Sequence, residues 1–274
     1  MMKLCCLAIA LVLGTWPMAT PADSSAEHLA KGGKLFAAKD FSGAIREYRE
    51  AVRLSPRDPK GHFVLGLALK WRGDLDEAVS QYREAIRLEP DLAEAHVNIG
   101  SILRMKNDPD GAISEYREAI RVKPDLALAH ADLGSVLRSE QKSDEATTEL
   151  REALRLDSNM AEAHRDLGLI LGSKRDMKGA IVELRQALRL NPSFLDAHMG
   201  LGSALRATGD LGGAIAEYRQ AVRLNPGFSY AHYNLGSALF VHGDKDEAAK
   251  EFAEAERLNP SLKLPENRPR PTQP

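Results

Sequence analysis

Cysteine, with tryptophan, is what this chain has least of. Its two cysteines, Cys5 and Cys6, are adjacent and lie in an N-terminal apolar stretch, so the remaining chain offers neither a disulfide framework nor a thiol nucleophile. Aromatic residues amount to 5% of the chain, and Ala, Leu and Gly are left to do the tight packing. An excess of one charge is also missing. The 37 basic and 39 acidic residues leave a net charge of −2, which selects neither nucleic acid nor an anionic membrane surface. Catalytic signatures are absent too: no His-Glu-x-x-His helix, no Gly-x-x-x-x-Gly-Lys-Ser/Thr loop and no Gly-x-Ser-x-Gly elbow. No cofactor and no catalytic residue is expected. Long hydrophobic runs are confined to Leu4–Leu13, which follows Lys3 and precedes Gly14, Pro17 and the small-residue exit Thr20-Pro21-Ala22. That order describes a cleavable export signal over residues 1–22, too short for an ordinary membrane span. A periplasmic or secreted location is expected, with an uncleaved anchor as the alternative and no other membrane contact. The asparagines Asn191 and Asn259 are each followed by proline, so neither starts a glycosylation sequon.

What is there is a repeat. A shift of 34 residues superposes Gly32, Gly66, Gly100, Gly134, Gly168, Gly202 and Gly236 without a gap. The same shift superposes two alanine columns, Ala44 to Ala248 and Ala51 to Ala255. A fixed period in this range marks a stack of supersecondary units. Seven units span 25–58, 59–92, 93–126, 127–160, 161–194, 195–228 and 229–262. Within the third, His96, Ile99, Gly100 and Leu103 fall on one helical face, and Ala112, Ile113, Tyr116, Ala119 and Ile120 on a second. Asn107, Asp108 and Pro109 separate the two, and Pro124 stops the second helix. Each unit is therefore expected to be a helical hairpin that buries its stripes only against its neighbours.

These columns (Leu at unit position 7, Gly at 8, Leu at 11, Ala at 20, Tyr at 24, Ala at 27, Pro at 32) resemble the tetratricopeptide repeat (TPR). The resemblance covers all seven units and implies an all-α, right-handed α-solenoid of seven TPR helix-turn-helix units over residues 23–262. It further implies a non-catalytic scaffold that binds a peptide or protein partner in a concave trough lined by the first helices. The alternative is a substrate-recruiting accessory subunit of a separate glycosyl- or peptidoglycan-modifying enzyme. Position 6 reads Ala30, Val64, Asn98, Asp132, Asp166, Gly200 and Asn234, similar in part to the asparagine ladder of the TPR superhelix in O-linked N-acetylglucosamine transferases. An amide there can donate and accept at once, so it reads peptide backbone. The pair that marks binders of acidic chaperone tails, Lys at position 5 and Asn at 9, occurs in no unit.

The partner-binding residues implied by this trough are Phe63, Leu67, Trp71, Asn98, Arg104, Asp132, Arg138, Arg165, Tyr230, Tyr233, Asn234 and Phe240. Phe63, Leu67 and Trp71 stack at i, i+4 and i+8, and exposed aromatics are the usual anchors of binding energy. One histidine per unit, from His28 to His232, stands at position 4. Neighbouring rings about 10 Å apart cannot share a metal ion, so buried neutral rings are expected, with folded pKa values below the reference near 6.5 and stability lost on acidification. Glutamates and arginines of the second helices are expected to pair with each other on a solvated face. The fourth unit, with Gln141-Lys142, Leu150 and Ser158 at consensus positions, is expected to be the softest interior joint. Glu256 stands where six units carry Val, Ile or Leu, which leaves self-association open. The proline-rich segment 263–274 is expected to be extended or disordered.

Overall fold

The computed structural model describes residues 24–269; the expected export segment, 1–22, lies outside them. Among the described residues are fourteen helices and no strand. In order they are α1 (Ser24–Ala37), α2 (Phe41–Leu54), α3 (Pro59–Arg72), α4 (Leu75–Leu88), α5 (Ala93–Met105), α6 (Pro109–Val122) and α7 (Ala127–Ser139). There follow α8 (Ser143–Leu156), α9 (Ala161–Ser173), α10 (Met177–Leu190), α11 (Leu195–Ala207), α12 (Leu211–Leu224), α13 (Ser229–His242) and α14 (Lys245–Leu258). Consecutive pairs make seven hairpins, the α-solenoid arrangement. The chain divides into two compact units, and the division falls between Ala129 and His130 inside α7.

The hairpin closes because one side chain is missing. Tyr116 of α6 is fully buried, and a Cβ placed on Gly100 of α5 would lie 2.8 Å from its ring. No methyl group fits at that distance, so glycine lets the two backbones approach over the ring. The fourth and fifth hairpins solve the same contact with Leu150 and Leu184, whose Cγ atoms would lie 2.6 Å from a Cβ on Gly134 and Gly168. Buried alanines such as Ala112 and Ala119, one turn either side of Tyr116, remove bulk on the same face of α6.

The turn inside each hairpin also has a fixed geometry. Its residue at unit position 15 is left-handed in all seven: Gly73, Gly209 and Gly243, but also Lys39, Asn107, Gln141 and Arg175 at φ between 60 and 65°. A side chain there is strained, since Cβ crowds the next carbonyl. The next residue caps the second helix. Asp108, Asp176 and Asp210 accept from the amides of Gly111, Gly179 and Gly213 at 2.8–3.0 Å, whereas Lys142 makes no such bond. The fourth hairpin thus combines a strained Gln141 with an uncapped α8, which gives the expected soft joint a physical basis. Gln141→Gly should raise stability by about 0.5–1 kcal/mol, read as the shift of the urea midpoint; a lowered midpoint would contradict the strain.

Candidate functional site

Within each unit the first helices of successive hairpins touch, α3 with α5 and α9 with α11, and their shared faces carry most of the residues expected to meet a partner. In the first compact unit the polar groups there are engaged with each other. Lys70 of α3 donates to Asn98 Oδ1 at 3.1 Å and to Ser101 Oγ at 3.0 Å. Asn98 Nδ2 donates in turn to the Glu94 carbonyl at 2.8 Å. The amide expected to read peptide backbone is therefore spent inside the protein. Arg104 stands exposed one turn beyond.

The second unit repeats this register with a carboxylate. Asp166 of α9, at the position equivalent to Asn98, is 1% exposed. Its Oδ1 receives Arg165 Nε at 3.0 Å and Arg165 Nη2 at 2.9 Å. Arg138 Nε lies 3.2 Å from the same oxygen, near enough for charge attraction though not aligned as a hydrogen bond. Oδ2 is buried and meets no donor of the protein. The Arg165 guanidinium also lies 4.8 Å over the Phe194 ring, and its Nε is 3.5 Å from Asp196 Oδ2. Lys70 with Asn98 and Arg138 with Asp166 are both 28 residues apart. Position 12 of one hairpin thus meets position 6 of the next, and these charges bind hairpin to hairpin. Asp132, at position 6 of the fourth hairpin, is half-buried.

The expected apolar anchors divide. Phe63 and Leu67 are 2% and 6% exposed and belong to the core, which corrects their placement on an open surface. The reason is α3 itself: residues 61–69 are all buried, as befits a helix apolar on every side. The Phe63 ring tilts against Tyr82 at 5.7 Å. Trp71 is half-buried and stacks on Phe41 at 6.0 Å, packing on the start of α2. In α13, equally apolar all round, Tyr230 remains 51% exposed and Val241 65% exposed. Tyr230 leans on Phe228 at 6.0 Å, Tyr233 is half-buried edge-on to Phe252 at 6.1 Å, and Asn234 and Phe240 are half-buried beside them. An open apolar face survives at α13 alone among these candidates. Sequence reasoning missed Phe194 as the platform for Arg165; its signal was the change from Leu and Met to Phe at unit position 34 in the fifth and sixth units. A separate groove of about 620 Å³ lies between α4 and α5, lined by Val79, Leu103, Arg83 and the Lys106–Asp76 ion pair.

The histidine column is not what its spacing implied. In six hairpins the ring Nδ1 meets a glutamate 19 residues on, at 2.6–2.7 Å: His28–Glu47, His96–Glu115, His130–Glu149, His164–Glu183, His198–Glu217 and His232–Glu251. Gln81 replaces the carboxylate for His62, at 2.8 Å. Nε2 of His164 and His198 meets the Ser158 and Pro192 carbonyls at 3.1 and 3.0 Å. A carboxylate and a carbonyl only accept, so both ring nitrogens must donate, which the imidazolium alone can do. Hydrogen bonding to Glu183 raises the pKa of His164 above its ordinary value against the cost of burial. For His198 burial is the largest single influence and lowers the pKa, yet Glu217 and the Pro192 carbonyl together outweigh it and the pKa rises. The expectation of buried neutral rings is thereby corrected for these two. Their contribution to stability is complete below the unfolded reference near 6.5 and is lost as pH rises through the folded value. Thermal melting should therefore be higher at pH 6 than at pH 9, and Glu183→Gln should flatten the difference; a higher melting temperature at pH 9 would reverse the assignment.

Glu115 and Glu149 accordingly serve histidines instead of arginines. The arginines pair three residues back, Arg87 with Glu84, Arg121 with Glu118 and Arg155 with Glu152, on an outer face where these guanidiniums are 66–69% exposed. Among the described residues no group of three His, Cys, Asp or Glu side chains could hold a metal ion.

Comparison with known proteins places this geometry. Models described as TPR repeat or tetratricopeptide repeat match residues 29–79, 71–107, 93–126, 131–184, 202–243 and 229–262. No curated protein sequence matches the chain. Among solved structures, MamA is 30% identical, with a TM-score of 0.54 over 59% of this chain and 95% of its own. YrrB, described as a TPR protein with an unusual peptide-binding site, is 23% identical with a TM-score of 0.59, over 66% of this chain and 93% of its own. PilF of Pseudomonas aeruginosa is 22% identical with a TM-score of 0.65, over 74% of this chain and 93% of its own.

Proposed function

Because the chain belongs to the tetratricopeptide repeat family, we propose that it is a non-catalytic scaffold holding a peptide or protein segment against the first helices of its hairpins. The observation that carries this reading is α13. Like α3, whose residues 61–69 are all buried, it is apolar around its circumference, yet Tyr230 stays 51% exposed beside half-buried Tyr233, Asn234 and Phe240. Rigid aromatics with a polar tip anchor partners at small entropic cost. Lys70 and Arg165 are held by neighbouring groups of the protein, whereas Arg104 and Tyr230 are exposed. That YrrB is described as having a peptide-binding site supports the same class of partner. The reading includes export, from the pattern of residues 1–22, and N-terminal sequencing of the mature protein should begin near Asp23.

Immobilised protein exposed to the exported fraction tests the proposal. Tyr230→Ala should weaken retention of the captured partner by about ten-fold or more, while Val182→Ser, a change at an exposed residue of α10, should leave it intact. Equal retention by both variants would remove the α13 face from the function.

A further inference from the structure

Position 28 of the hairpin is aliphatic six times, as Val52, Ile86, Ile120, Leu154, Leu188 and Val222. It is the residue that meets the following hairpin: Val52 Cγ2 would lie 3.3 Å from a Cβ on Gly61 of α3. In the seventh hairpin the same position is Glu256, and what meets it is the chain's own continuation. Arg268 Nη2 reaches both Glu256 carboxylate oxygens at 3.2 Å, and Arg268 is only 23% exposed. The arginine is aimed by a turn in which the Arg268 amide donates to the Pro265 carbonyl at 3.1 Å. Leu264, Pro265 and Pro269 are half-buried along with it. The described part of the tail, 263–269, is thus non-helical and placed on α14, and residues 270–274 of the segment expected to be extended or disordered lie outside the described residues. A half-exposed ion pair by itself holds little. Here proline stiffness lowers the ordering cost, and the half-buried apolar groups add to the ion pair.

We propose that residues 263–269 are a tethered closure for α14, which covers with an extended strap the surface equivalent to the one that Val52 of α2 gives to the next hairpin. The occupant it keeps out is a second copy of this chain. Glu256 serves both ends of the device. It is the mate of Arg268 when the strap is down, and a bare charge in the stacking surface when the strap is up.

Sedimentation velocity over a concentration series tests this on the full chain and on a chain ending at Leu262 that also carries Glu256→Val. Removing strap and charge together should tighten self-association by at least about ten-fold over the full chain, and Glu256→Val with the strap in place should give less. Association unchanged from the full chain would overturn the proposal. Should the truncated chain not fold, hydrogen exchange decides: Arg268→Glu should speed exchange of the α14 amides, and the swapped pair Glu256→Arg with Arg268→Glu should restore it. Exchange in α14 unaltered by Arg268→Glu would also overturn it.

Discussion

Tyr116→Ala should destabilise the first unit by about 3–5 kcal/mol, the cost of emptying a site filled by a large aromatic. The ring is fully buried and lies on Gly100, so its loss removes the contact that holds α5 to α6. Glycine opposite cannot fill the gap, because it has no side chain to move. Tyr116→Leu should cost far less, about 1–2 kcal/mol, since Leu150 and Leu184 do the same task in the fourth and fifth hairpins. In a stack of repeats the damage is local, so hydrogen exchange of α5 and α6 is the sharper readout, with the urea transition as the global one. If alanine and leucine cost the same, the glycine-ring contact is not what closes the hairpin.

The second large effect concerns Arg165. Arg165→Ala leaves the Asp166 carboxylate, 1% exposed, with the misaligned Arg138 as its nearest cation. Breaking a buried pair on one side costs about 3–5 kcal/mol; the remaining arginine places the expectation near 3 kcal/mol. Asp166→Asn combined with Arg165→Ala should recover part of the loss, giving a coupling of about 1–3 kcal/mol in a double-mutant cycle. Arg165→Lys should not substitute, because an ammonium can neither fork onto Oδ1 nor lie flat on Phe194. Additive single effects would show that the pair is not coupled.

Much of the fold was legible because a 34-residue period leaves little freedom: Gly100 and Tyr116 predict the hairpin, and Pro124 its end. The site was legible only in part, since a repeat position tells which helix a residue is on but not what covers it. Phe63 and Tyr233 share unit position 5, yet one lies under neighbouring helices and the other borders an open face. The histidine column misled for a similar reason. Burial argues for a neutral ring, and the glutamate 19 residues away, which reverses the argument for His164 and His198, belongs to another helix. Asn98 matched the ladder in type and position; its capture by Lys70 depends on the preceding hairpin's placement.

The left-handed residue at position 15 fixes the length of the chain between the paired helices as well as its direction. One residue more or less there would turn the second helix by about 100° about its axis and carry the alanine and tyrosine columns away from the glycine opposite. Growth or shrinkage of this molecule is therefore quantised. Whole multiples of 34 preserve every column, and anything between them forfeits the fit on which each hairpin depends.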